Sequence, residues 1–265
     1  MISFSRRLRL LLPALGLALF LAAPSLAGDA VFQYSTIDAL LAGLYEGDMT
    51  MAELARKGDF GLGTLNGIDG ELVVLDGVGY HVSAGGAAVV APGAAAIPFA
   101  TVSFFGGDRT LDLGTIDSLA ALNEAVVAGL PSKNVFWAIR IDGVFPSVKA
   151  RAIPKQSPPY DPLAEVAKQQ VVVTLSGEGT LVGYYSPPFV KGVNVPGFHW
   201  HFLTADRARG GHVLDCSLNP TTALLDELRT LTVRLPASAE FDGLDLSGDK
   251  TGELHAVEKG PAKGE

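Results

Sequence analysis

The segment from Gly197 to Cys216 constrains the fold of this chain more than any other. It reads Gly197-Phe-His-Trp-His-Phe-Leu-Thr204, then a turn-like stretch from Ala205 to Gly211, then His212-Val-Leu-Asp-Cys216. Residues two apart on a β-strand share a face, so His199 and His201 point one way while Trp200 and Phe202 point into a core on the other. If residues 205–211 close a hairpin that pairs His201 with His212, their Cβ atoms stand about 4.5–5.5 Å apart on one face. Three imidazoles then converge on one point.

Three neutral nitrogen ligands with an open fourth position are what a catalytic zinc needs, because the vacant position must take water or substrate. A structural zinc is normally closed by a fourth ligand, often cysteine. Cys216 lies four residues after His212, hence on the same face if that strand is regular, and is the candidate for that role. His81 and His255 read as ordinary core or surface histidines. The His-x-His pattern on strands also occurs in cupins and α-type carbonic anhydrases, so two rivals stand beside any one enzyme: another three-histidine metalloenzyme, or a non-catalytic periplasmic metal-binding module. Cupins usually carry a glutamate shortly after the pair, where this chain has only Asp206.

Residues 1–27 read as a secretory signal peptide. Arg6, Arg7 and Arg9 precede an apolar run from Leu10 to Ala23, and Ser25 and Ala27 suit a small-residue cleavage site. Pro13 and Gly16 interrupt the run, which is short for a membrane span, so an exported chain with no stable membrane association is expected. Ser5-Arg6-Arg7 also hints at twin-arginine export. Losing three arginines from 20 basic residues leaves 17 against 28 acidic ones, a formal charge of −11. Nucleic acid is therefore excluded as a partner. The remaining 238 residues suffice for one large or two small domains with a real core. A single cysteine forms no intramolecular disulfide.

Val31 to Arg56 has a helical pattern that suggests two short helices, with Ser35 and Thr36 before the first. After Lys57 the texture turns to strands and glycine turns, including Asn66-Gly67, Asp69-Gly70 and the β-branched run from Glu71 to Leu75. Residues 83–96 suit a surface excursion without chemistry. A helix over 116–128 precedes a break at 131–134, where a domain boundary is placed. Strands are expected at 135–141, 144–153 and 170–176 and around the histidines, then a helix at 221–228 and a strand at 231–235. Strands outnumber helices and do not alternate regularly with them. The fold class is therefore α/β of the α+β type, on mixed, largely antiparallel sheets with a few helices.

The chain resembles the acetolactate decarboxylase family. The resemblance rests on Val31-Phe-Gln-Tyr-Ser, Gly58-Asp-Phe-Gly-Leu-Gly-Thr-Leu-Asn-Gly-Ile-Asp-Gly-Glu-Leu, Pro98-Phe-Ala, Arg140-Ile-Asp-Gly-Val-Phe and Ala150-Arg-Ala-Ile-Pro-Lys-Gln, besides the two histidine segments. It implies a zinc ion on His199, His201 and His212, an active-site arginine at Arg151, and active-site glutamates at Glu71 and Glu258, with Glu253 competing for the second place. It also implies two domains, 28–133 and 134–245, with the metal site between them and the tail 246–265 contributing to it. A homodimer acting on the small molecule 2-acetolactate, releasing acetoin and carbon dioxide, completes the expectation. Without the resemblance, Glu71 is a carboxylate opening an apolar strand after a glycine turn, facing either solvent or a site. Arg151, between Ala150 and Ala152, would be a surface arginine.

Overall fold

The computed structural model describes residues 29–259, so the expected leader at 1–27 lies outside the described residues. The first half runs β1 (Ala30–Tyr34), α1 (Ile37–Leu41), β2 (Met49–Thr50), α2 (Met51–Leu54), β3 (Phe60–Thr64), β4 (Glu71–Leu75) and β5 (Val78–Val82). It continues through β6 (Ala88–Val90), β7 (Ala96–Ile97), β8 (Phe99–Ser103), β9 (Arg109–Leu113) and α3 (Leu119–Gly129). The second half holds β10 (Phe136–Ala152), α4 (Leu163–Val166), β11 (Val171–Ser186), β12 (Gly197–Thr204) and β13 (Gly210–Ser217). It ends with β14 (Thr221–Leu228), β15 (Thr230–Arg234), α5 (Ala239–Asp242) and α6 (Thr251–Lys259).

Local chemistry sets many of these boundaries. The Thr36 hydroxyl caps α1, and Thr50 and Glu53 form a capping box at the start of α2. Asp76 and Gly77 both adopt positive φ between Leu75 and Val78, which are paired, so β4 and β5 form a tight two-residue hairpin.

Two sheets form the body. The first has seven strands in the order β15-β1-β8-β3-β4-β5-β6, antiparallel except for the parallel β1–β15 pair. The second has six, in the order β11-β12-β13-β10-β14-β9, and β11 also pairs along β10, which curls the sheet on itself. Inside that curl lie Trp137, Phe145, Trp200 and Phe202, covered by Leu122 and Val126 of α3. Between the sheets, Phe60, Leu62, Val73 and Leu75 of the first meet Ala138, Val182, Tyr184 and Leu203 of the second. Strand β12 serves both layers: Trp200 and Phe202 enter the curl, and Leu203 faces the first sheet. His199 and His201 share the parity of Leu203 and face that sheet too.

The structure departs from the sequence expectation in three places. Val31–Tyr34 is a strand, not the start of a helix, because Ala30–Tyr34 pairs with Thr230–Arg234 on one side and β8 on the other. Thr221–Leu228 is also a strand, held between β10 and β9, although Ala, Leu and Glu favour a helix there. Packing on both flanks overrides that propensity. Finally, the sheets do not divide at residue 133: β9 and α3 precede that point yet belong with the second sheet, and β15 returns to the first. Among the described residues no helix is long and apolar enough to cross a membrane.

Candidate metal centre

His201 and His212 are directly paired across β12 and β13, and His199 stands two residues along on the same face. The ring centroids lie 5.0 to 5.5 Å apart, and one nitrogen from each ring falls within 4.8 Å of the others. Strand β4 fixes one tautomer. His201 Nδ1 lies 2.9 Å from the Leu72 carbonyl oxygen, which can only accept, so Nδ1 carries the proton and Nε2 a bare lone pair. That Nε2 is buried without a hydrogen-bond partner, as is His199 Nδ1. His212 Nδ1 lies 3.2 Å from His199 Nε2. An ion that binds imidazole nitrogens at about 2.0–2.1 Å in a tetrahedral field, as zinc does, sets two of them about 3.3 Å apart.

Burial keeps all three rings neutral. It lowers the His199 pKa to about 3, with the Arg151 charge adding to the effect. His201 and His212 are pushed well below the ordinary range, first by burial and then by the neighbouring charges. Neutral imidazoles with orphaned buried nitrogens are the donor set a divalent metal requires, and the three histidines could hold one.

Glu71 and Arg151 reach this centre from different sheets. Gly70 adopts φ +67 and donates its N–H to the Ile153 carbonyl at 3.0 Å, which ties the start of β4 to the end of β10. A side chain at Gly70 would meet the Val82 carbonyl oxygen, so only glycine fits this turn. Arg151 pairs with His212 across β10 and β13. It donates from Nη1 to Glu71 Oε1 at 3.0 Å and from Nη2 to the Val257 carbonyl at 3.3 Å, while its Nε is buried and unpartnered. Glu71 Oε2 lies 3.4 Å from His201 Nε2. Glu71 is 7% exposed and Arg151 4% exposed, so of the two faces open to Glu71 the structure takes the buried one, and Arg151 is not the surface arginine that its local sequence alone suggested.

Glu258 arrives on α6, which seats Leu254 and Val257 among Ile37, Leu40, Ile153 and Leu163. Its Oε2 lies 3.7 Å from His212 Nε2. Glu253 is turned away and pairs with Lys250 at 3.5 Å. Burial raises the Glu71 pKa to about 8, opposed by Arg151 and reinforced by Glu258. Burial likewise raises Glu258 to about 7 against the pull of Arg151. A carboxyl buried beside another carboxyl holds its proton near neutrality.

Cys216 sits on the other side of the strand. The β10–β13 register slips at Leu214, so Ala150 faces Val213 but Lys149 faces Asp215. This bulge reverses the alternation and sends both Val213 and Cys216 into the interior of the curled sheet. His81 lies 3.4 Å from Asp69, and His255 is exposed.

Two cavities meet at the centre. An inner one of about 40 Å³ is lined by Glu71, Arg151, His199, His212 and Glu258 on its polar side and by Ile37, Leu40, Phe99, Ile153 and Leu163 on its apolar side. An outer one of about 780 Å³ shares His212 and Glu258 with it. Sequence reasoning missed the contacts made by main-chain atoms, the Leu72 and Val257 carbonyls, because no side-chain signal marks them. The apolar inner wall was missed as well, its residues being indistinguishable from core.

The family model described as alpha-acetolactate decarboxylase matches residues 31–248. A curated alpha-acetolactate decarboxylase of Methanosarcina mazei is 43% identical over 234 residues, covering 88% of this chain and 81% of the relative. One of Methylococcus capsulatus is 41% identical over 231 residues, covering 86% and 88%. The crystal structure of alpha-acetolactate decarboxylase from Bacillus subtilis strain 168 superposes with a TM-score of 0.84 at 34% identity, covering 88% of this chain and all of that one. These matches define an enzyme of the carboxy-lyase class. Within that class, the chain belongs to the alpha-acetolactate decarboxylase family.

Proposed function

We propose that this chain decarboxylates 2-acetolactate to acetoin and carbon dioxide with a zinc ion held by His199, His201 and His212. The carrying observation is that three neutral imidazoles cluster within 4.8 Å of one another beside a small buried chamber that two of them line together with Arg151, whose buried Nε–H is free, and two carboxyls of raised pKa. Losing carbon dioxide from a 3-oxo acid drives an electron pair toward the ketone oxygen. Bound zinc would supply Lewis-acid charge where that negative charge develops.

The chain's own residues do the rest. Arg151 holds the substrate carboxylate through its unpartnered Nε, which orients the bond that breaks. The apolar wall of Ile37, Phe99 and Leu163 excludes water, so the carboxylate loses solvation that would otherwise hold it in place. Glu71 and Glu258, protonated near neutrality, are the groups that deliver a proton to the carbon left by carbon dioxide. The hydrogen bond that Arg151 Nη1 donates to Glu71 Oε1 fixes the direction of Glu71. The enzyme acts as an exported homodimer, in line with the leader-like residues 1–27 and the family resemblance.

The test follows acetoin and carbon dioxide release from racemic 2-acetolactate, alongside carbon dioxide hydration as a control activity. Stoichiometric acetoin without hydration is expected. Bound zinc with no acetoin would overturn the reading in favour of a metal-binding module.

A further inference from the structure

We propose that Ile68 is a positioning residue for Glu71: its side chain wedges the strained turn at residues 67–70 in the conformation that aims the Glu71 carboxyl at Arg151 and the imidazoles. The inference rests on the decarboxylase reading and deepens it, naming what holds one of the two site carboxyls in place.

The strain lies in the backbone. Three of the four residues of this turn occupy the left-handed region, Gly67 at φ +76, Ile68 at φ +50 and Gly70 at φ +67. Glycine takes such angles at no steric cost. In isoleucine the branched Cβ crowds the neighbouring carbonyl there, so the residue is a true outlier. The other non-glycine residues with positive φ among the described residues are Ser35, Asp76 and Arg207, none of them β-branched. Such strain persists only where the surroundings over-determine it, and it gathers at functional sites.

The surroundings here do over-determine it. Gly67 donates its N–H to the Tyr45 carbonyl at 2.8 Å, and its own carbonyl accepts from Gln156 N–H at 2.7 Å. Asp69 N–H donates to the Leu65 carbonyl at 3.1 Å, and the Thr64 hydroxyl donates to the Gly70 carbonyl at 2.7 Å. The Asp69 carboxylate lies 3.4 Å from His81 Nε2 and 3.7 Å from Lys155 Nζ. Ile68 adds its side chain. It is 4% exposed, belongs to the apolar cluster of Ile37, Leu40, Phe99, Ile153 and Leu163, and lines the inner chamber together with Glu71. The residue with the costly backbone is therefore the one whose side chain reaches the site. Glycine or asparagine at 68 would relieve the backbone and leave the wedge empty. Glu71 follows three residues later as the first residue of β4, so any play in the turn passes directly to its carboxyl.

The experiment measures kcat and KM for 2-acetolactate, counted per bound zinc, on wild type, Ile68→Val, Ile68→Gly and Ile68→Asn, and repeats Ile68→Gly in a Glu71→Gln background. Counting per bound zinc sets aside chains that fail to fold, and the asparagine variant keeps the test open if the glycine variant folds poorly. Ile68→Gly and Ile68→Asn should lose about a hundredfold in kcat, the scale of a misplaced reacting group, with KM and zinc content unchanged. Ile68→Val, which keeps the branched wedge, should retain most of the rate. In the Glu71→Gln background Ile68→Gly should cost nothing more, because a residue that acts through Glu71 has nothing left to position. Equal losses in both backgrounds, or a loss that falls on KM or zinc content, make Ile68 a packing residue and overturn the proposal. Full activity of Ile68→Gly and Ile68→Asn overturns it too. A wild type inert toward 2-acetolactate overturns the decarboxylase reading itself, and the positioning role with it.

Discussion

His201 carries two jobs at once, since its Nδ1–H is spent on the Leu72 carbonyl and its Nε2 faces Glu71 and the other imidazoles. His201→Ala should therefore lose both the bound metal and turnover, read by elemental analysis and acetoin assay on one preparation. Arg151→Lys keeps a charge but not the fork of donors, so metal should stay bound while kcat/KM falls about a hundredfold. The raised pKa of Glu71 has a stability consequence of definite sign. Its folded-state pKa of about 8 exceeds the unfolded value of 4.5, so the stability it contributes is present below pH 4.5 and lost as pH rises toward 8. In metal-free protein, wild type should lose stability relative to Glu71→Gln over that window by up to about 1.4 kcal/mol per pH unit. Urea melts at its two ends check this, and parallel curves would contradict it. The histidines were legible in the sequence because period-two alternation with aromatics fixes their common face. Glu71 and Arg151 were not legible without the family resemblance, because what makes them special is each other, across 80 positions.

Among the elements, β13 shows how one residue decides a ligand set. A regular strand would have aligned Cys216 with His212, and the bulge at Leu214 instead buries its thiol in the core, where burial pushes the pKa up to about 12. Nothing in Val213-Leu214-Asp215 announces a bulge, since it depends on register against β10. Strand β14 was misread for a related reason: Thr221-Thr-Ala-Leu-Leu-Asp-Glu-Leu228 has the composition of a helix, and only the sheet on both sides makes it a strand. Helix α6 brings Glu258 to the centre by seating Leu254 and Val257 in the apolar cap, and the Val257 carbonyl accepts from Arg151. Leu254→Asp should unseat α6 and slow decarboxylation by about a hundredfold, the scale of a misplaced reacting group, while metal content stays unchanged. Equal loss of metal and activity would show instead that α6 supports the histidines.

The whole molecule places its chemistry where three layers meet. The curled second sheet supplies the histidines and Arg151, the first sheet supplies Glu71 and the Leu72 carbonyl, and the helical cap supplies Glu258. The mixed-sheet fold class was legible from turn chemistry and strand patterning. The exchange of β9 and β15 between sheets was not, because long-range pairing leaves no local mark. Metal binding at such a junction stabilises the folded state alone, so free zinc at a thousandfold excess over its dissociation constant should add about 4 kcal/mol, read as a rise in melting temperature that a chelator reverses. The most direct test of the central claim titrates metal-free protein with zinc and follows acetoin formation against zinc bound per chain. The account predicts that activity rises linearly and saturates at about one zinc per chain, as a single three-histidine site requires, and that His212→Ala shows neither binding nor activity. Full acetoin formation by the metal-free protein would contradict it.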